Sequence, residues 1–258
     1  MARIIFLISV TTSLIFLAVP LMLVLPLAFN DSSFLSYPME GLTMRWFETV
    51  FTEAPWVAAF FNSVKVATGA MVVSVLVGGL AAVGTVLSGR IGQLVFWALF
   101  VSPLVIPSVV VGVALAYAFA RVGISGGYVA LVLAHTILGA PLVFLSVMTS
   151  LKGLNPELEK AAASLGASTF YRFRTVTLPL TAPGFLTGAL FAFVTSFDEV
   201  VVALFLASPQ STTLPIALFS GLRDRLQPTI IVVALLLSLF SLLFYFILAR
   251  LQRQSTPT

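Results

Sequence analysis

The apolar positions of this chain do not mark one face of a helix; they run on in blocks. Six such blocks stand out, about Ile4–Phe29, Val57–Leu87, Leu94–Ala120, Tyr128–Leu151, Pro179–Ala207 and Thr229–Leu251. A helix needs about 20 mostly apolar residues to cross the hydrocarbon of a bilayer. Each block therefore predicts one crossing, and the whole predicts an all-α polytopic membrane protein with about six transmembrane helices. Polar text separates the blocks. Asn30–Trp56 and Lys152–Leu178 are long, Ser208–Pro228 is somewhat shorter, and the other breaks are short. No internal repeat or low-complexity tract is visible.

Composition agrees. The 258 residues are 60% hydrophobic and only 9% charged, whereas a soluble domain carries roughly a quarter charged residues. Too little polar surface exists to face water all round, so lipid is the solvent. The net charge of +4 is no nucleic-acid signal, because the cations follow the loops. With no cysteine and a single histidine, neither a disulfide nor a metal site is expected. The first block exceeds the ~7–15-residue apolar core of a cleaved signal peptide, and Pro20 and Pro26 interrupt it; it reads as a retained span. Arg3, Arg90, Lys152, Lys160, Arg172, Arg174, Arg250 and Arg253 fall on one side of the alternating spans. Arg45, Lys65, Arg121, Arg223 and Arg225 fall on the other. The positive-inside rule then puts both termini in the cytoplasm.

On that reading, Lys152–Leu178 is cytoplasmic. Asn155-Pro156 has the form of a helix start, with Asn capping and Pro at the first helical position. Glu157 and Glu159 complement the helix dipole, and Gly166 is suited to end the helix. Leu158, Ala161, Ala162 and Leu165 lie at i, i+3, i+4 and i+7, an apolar stripe. A helix of about ten residues is marginal alone in water and has to dock. The pattern leaves three surfaces open: the cytoplasmic ends of its own spans, the lipid interface, or a partner.

The spacing here carries a resemblance. Ala161-Ala162, Gly166, Val176 and Leu178-Pro179, with the flanking "LGAS" and "VTLPLTAPG", resemble the EAA loop of ABC-importer permeases, and the likeness extends over about residues 57–251. It implies a type I ABC importer permease fold. Residues 1–56 would hold the first span and an extracytoplasmic segment, 57–251 the transmembrane domain, and 252–258 a cytoplasmic tail. It also implies that Leu158, Glu159, Lys160, Ala161, Ala162, Leu165 and Gly166 form a coupling helix held in a groove of a separate ATPase. ATP and magnesium would sit on that ATPase, with no cofactor in this chain. A second permease subunit and an extracytoplasmic substrate-binding protein would complete the assembly, in a bacterial inner membrane. One departure is visible: Lys160 stands where the family usually has glutamate, and Glu159 lies one step, about 100°, around the helix. The chain has no G-x-x-x-x-G-K-[ST] phosphate loop, so it is expected to be a transport subunit and no enzyme.

Asp198 and Glu199 are the only carboxylates set in an apolar run. A charge at the bilayer centre costs roughly 2.5–3.5 kcal/mol on insertion scales. Nineteen residues from Pro179 at ~1.5 Å each reach about 28 Å, so the pair falls in the outer part of the membrane. There it either faces a path or pairs with Arg223 or Arg225. "SFDEVVVALFLASP", "TLPIALFSGLRD" and "LTMRWFETVF" look most like the spermidine/putrescine permeases, which implies a small cationic substrate. Asp198, Glu199, Ser196 and Trp46 are then the expected path residues, Trp46 through cation–π contact. The third block has Leu104 where that subgroup can carry another acid. His135 is expected to hydrogen-bond a neighbouring helix, and Lys65 to snorkel outward. The glycines of the second block, Gly69, Gly78, Gly79 and Gly84, suit close helix packing. The rival from another class is a secondary transporter in which Asp198 or Glu199 couples to an ion gradient.

Overall fold

The computed structural model describes residues 2–124, 126–224 and 226–254. Arg225 and the side chain of Arg253, both used above for orientation, lie outside the described residues. Twelve α-helices are described: α1 (Ala2–Val24), α2 (Arg45–Thr52), α3 (Ala54–Leu87), α4 (Arg90–Val105), α5 (Ser108–Arg121), α6 (Tyr128–Lys152), α7 (Pro156–Ser164), α8 (Thr169–Arg172), α9 (Leu178–Phe197), α10 (Val201–Leu206), α11 (Leu214–Asp224) and α12 (Pro228–Gln254). Among the described residues the one trace of β-structure is an isolated antiparallel bridge between Asn30 and Leu42. Among the described residues five helices are long and apolar enough to cross a membrane, or six spans if α4 and α5 count together.

Two expected spans are broken. The block read as Leu94–Ala120 is two helices bent by 108°. Pro103 lies in the last turn of α4, and Ile106 and Pro107 are extended between the helices. Proline supplies no N–H to continue the ladder and holds the preceding residue away from helical angles. The block read as Pro179–Ala207 also stops, at Phe197, and resumes three residues later as α10. Hydropathy sums over both breaks and cannot see them.

The chain forms two compact units, Met1–Ala58 with Ala217–Phe240, and Ala59–Ile216 with Ser241–Thr258. The expected boundary after residue 56 is therefore crossed by a returning segment. Its reason lies within the first unit, where Gly221 of α11 sits against Ile230 of α12 and Trp56 at the start of α3. In the same unit, the segment after α1 is organised by Asn30, which is fully buried. Its Oδ1 accepts from the backbone N–H of Ser32 and Glu40 (3.3 and 3.1 Å), and its Nδ2 donates to Ser36 O at 3.2 Å. The apolar window of α1 buries nothing.

Among the described residues of the second unit, an apolar core lies toward each end of α6. Val66, Val111, Leu131, Ala134, Val202 and Leu206 form the first. Ala82, Val143, Phe144, Val147, Met148 and Ala192 form the second, with Phe144 stacked on Phe100 at 5.1 Å and edge-on to Trp97 at 5.4 Å. Between the cores runs a polar layer. His135 Nδ1 and Ser196 Oγ are 2.7 Å apart, and Ser74 Oγ reaches Thr136 O at 3.5 Å. Small residues bring the helices this close. A Cβ on Gly78 of α3 would stand 2.4 Å from Ala140 O, and one on Gly188 of α9 would stand 2.8 Å from Val143 Cα. Without a hydrophobic drive between helices in lipid, such close packing is what holds a bundle together.

Candidate functional site

Residues 153–177 leave α6, form a projecting stirrup and return into α9. Asn155 Oδ1 accepts from Glu157 N–H at 3.0 Å, capping α7 as its sequence requires. At the other end Gly166 has φ +82°, the left-handed conformation that glycine adopts without a Cβ penalty. Its N–H donates to Ala163 O at 2.9 Å, and Ala167 N–H donates to Ala162 O at 3.1 Å. These two bonds are the Schellman pattern, and they satisfy carbonyls that a helix end otherwise orphans. Ser168 then caps α8, its Oγ accepting from Tyr171 N–H at 3.3 Å.

Of the surfaces the stripe had open, its own chain covers little, which leaves the lipid interface and a partner. No residue of α7 is buried; Leu158 is 46% and Leu165 89% exposed. Leu165, Gly166, Tyr171, Thr175 and Val176 border a concavity of about 520 Å³ beside the helix end. A rigid helix with an uncovered apolar edge and small central residues is suited to lie in another protein's groove.

The two charges of the departure point different ways. Lys160 Nζ meets Glu157 Oε1 at 2.9 Å, both side chains largely in solvent, and such a pair contributes little. Glu159, itself exposed, reaches back to the bundle, its Oε1 accepting from Thr177 Oγ1 at 2.6 Å. Thr177 is buried and begins the descent into α9. The step to Glu159 has thus given this chain a tie between α7 and the root of a span. Nothing in the local pattern announces Thr177, eighteen residues away.

The second cluster lies at the break between α9 and α10. Asp198 is the C-terminal cap of α9, exposed, with no ion pair among the described residues. Glu199 is half-buried, and its Oε1 accepts from Val202 N–H at 2.9 Å, capping α10. The adjacent acids therefore do different work. Glu199 offsets the positive N-terminal end of α10, while Asp198 adds to the negative C-terminal end of the 20-residue α9. The break thus holds the negative end of α9 and, among the described residues, one carboxylate without an ion pair.

The other two expected path residues are occupied. Ser196 is buried, with its hydroxyl on His135, so it ties α6 to α9 and presents nothing to a passing solute. His135 is bonded to a neighbouring helix as expected. Trp46 is 8% exposed; its indole N–H donates to Asn30 O at 2.7 Å, and the Arg45 guanidinium lies 4.3 Å over its ring. The chain's own cation already holds the position imagined for a substrate. A polar knot unseen in the sequence joins α3 to α6: Tyr128 Oη donates to Asn62 Oδ1 at 2.6 Å, and Asn62 Nδ2 reaches Thr212 O at 2.9 Å. Lys65 Nζ stands 5.8 Å from the Tyr128 ring.

Residues 74–256 match the family described as binding-protein-dependent transport system inner membrane component. The chain is 29% identical over 250 residues to the putrescine transport system permease protein PotI of Escherichia coli (strain K12), covering 93% of this chain and 89% of that one. It is 32% identical over 227 residues to PhnV of Salmonella typhimurium, named as a candidate 2-aminoethylphosphonate transport system permease, covering 83% and 85%. Among solved structures it resembles a bacterial alginate ABC transporter in complex with alginate pentasaccharide-bound periplasmic protein. The TM-score there is 0.73 at 16% identity, over 99% of this chain and 95% of that one.

Proposed function

Since the chain belongs to the family of binding-protein-dependent transport system inner membrane components, the permeases of ABC importers, we propose that its cargo is a polyamine of the putrescine and spermidine class. Asp198 carries this reading: a carboxylate with no ion pair among the described residues, at the negative end of α9, beside a glutamate that already caps α10. Half-helix C-terminal ends are a recurrent cation-binding device in transporters. The names of the two relatives also share a primary amine, which is the group a carboxylate recognises. They differ in the phosphonate, and two adjacent acids would repel it.

Energy comes from outside the chain. The exposed edge of α7, with Leu158, Ala161, Ala162, Leu165 and Gly166, docks in a groove of an ATPase subunit that holds ATP and magnesium. Glu159 tethers that helix to its own bundle, and Lys160 keeps to solvent. A second permease subunit and an extracytoplasmic binding protein complete the complex, in a bacterial inner membrane with both termini cytoplasmic. The chain itself gates a path and makes or breaks no covalent bond.

Uptake of labelled putrescine by the reconstituted complex tests this. It should require ATP, and Asp198→Asn should lower it about tenfold, the equivalent of some 1.4 kcal/mol. Glu199→Gln should cost less, because an amide oxygen still caps α10. Unchanged uptake in Asp198→Asn would remove the carboxylate from the path. Uptake driven by a proton or sodium gradient without ATP would replace the scheme with a secondary transporter, and preference for 2-aminoethylphosphonate would replace the cargo.

A further inference from the structure

A second cavity, of about 470 Å³, lies where the stirrup meets the spans. Its apolar wall is Val83, Val86 and Leu87 at the end of α3 and Leu151 at the end of α6, and Glu159 and Arg172 also line it. The volume is in the range of small-ligand sites. Val86 and Leu87 are 50% and 72% exposed, so the wall continues onto the apolar exterior at the end of a span. At the end of two expected spans, this is the depth at which acyl chains give way to headgroups.

The two charges share the cavity without pairing. Among the described residues Arg172 makes no ion pair. Its Nη2 donates to Thr169 Oγ1 at 3.2 Å, while its Nε–H is buried with no acceptor. A buried donor left unmade is costly, and a guanidinium fork fits the oxygens of a phosphate. Glu159 has one oxygen on Thr177 and the other without a partner among the described residues, a place for a donor that carries positive charge.

From this arrangement we propose that the cavity holds one membrane phospholipid with a primary-amine headgroup, phosphatidylethanolamine. Its phosphate lies on Arg172, its ammonium on Glu159, and the upper part of an acyl chain runs along Val83, Val86 and Leu87. A phosphatidylglycerol offers the carboxylate no cation. A phosphatidylcholine offers a quaternary ammonium with no N–H to donate. Free phosphate leaves the apolar wall bare. The proposal is independent of the cargo, so an uptake result leaves it untouched.

The assembled transporter, taken from nanodiscs of equimolar palmitoyl-oleoyl phosphatidylethanolamine, phosphatidylcholine and phosphatidylglycerol, provides the test by native mass spectrometry. The wild-type complex should retain phosphatidylethanolamine about tenfold over either competitor, the gain of roughly one charge-assisted bond. Arg172→Gln should lose that retention, and Glu159→Gln should bring phosphatidylethanolamine and phosphatidylglycerol to equality. Val86→Trp, which fills the wall and leaves both charges, should expel the lipid. Equal retention of the three lipids by the wild type, or a preference for phosphatidylglycerol, would overturn the assignment. So would wild-type retention in both Arg172→Gln and Val86→Trp.

Discussion

His135 and Ser196 meet across α6 and α9 at 2.7 Å, in the polar layer between two apolar cores. Inter-helix bonds of this kind contribute on average about 0.6 kcal/mol in membranes, up to about 1.7. Ser196→Ala should therefore lower the thermal unfolding midpoint in detergent modestly and leave a folded bundle. A loss of fold would mean that the layer is far more cooperative than one bond. The histidine was legible as a bonded residue because an unpaired imidazole is costly in lipid. Its partner was not, since the register of α9 against α6 is set by contacts of Gly139, Gly184 and Gly188 with residues far away in sequence. Trp46 shows the opposite failure. An aromatic beside an outer acidic segment reads as an offered surface until Asn30 and Arg45 are seen to occupy it.

Among the elements, α7 was the most readable, because its start and stop are written locally in Asn155-Pro156 and Gly166. Ala162 lies half-buried at the centre of its stripe, and Ala162→Asp probes the stripe by placing a charge there. The variant should insert normally but fail to co-purify with the ATPase; wild-type co-purification would show that the edge is not the contact. Thr177→Val removes the bond to Glu159 and keeps the shape. Losing about 1 kcal/mol of tether should leave the ATPase bound while uptake per ATP falls several-fold, measured side by side in proteoliposomes. Unaltered stoichiometry would reduce Thr177 to a packing residue. The breaks after Val105 and Phe197 were the least readable elements. Prolines 103 and 107 hinted at the first, but nothing short of the backbone gives its 108° angle. At the second, an acid that caps α10 looks in sequence like any other acid in an apolar run.

For the molecule as a whole, the number of crossings and the all-α class follow from the apolar blocks, since hydrocarbon admits little else. The division into two units does not follow, because it depends on where a late segment returns. The small residues of α3 marked a close packing surface correctly without naming what packs there. Gly188→Val tests how much of the bundle rests on such contacts, as its new Cβ would stand 2.8 Å from Val143 Cα. Overpacking of this sort costs about 1–3 kcal/mol and should lower the unfolding midpoint more than Ser196→Ala does. An unshifted midpoint would mean that α6 and α9 part easily.

They are not built to part, and the stirrup is anchored to both. One foot leaves α6 through the Asn155 cap, and the other is pegged by Glu159 to Thr177 at the base of α9. A load applied at Leu165 therefore enters two spans that are already locked side by side. The hydrogen-bonded turn at Gly166 allows little slack on the way. On the proposed docking of α7, small displacements at the tip pass to the pair as tilting, in the way a tiller turns its rudder.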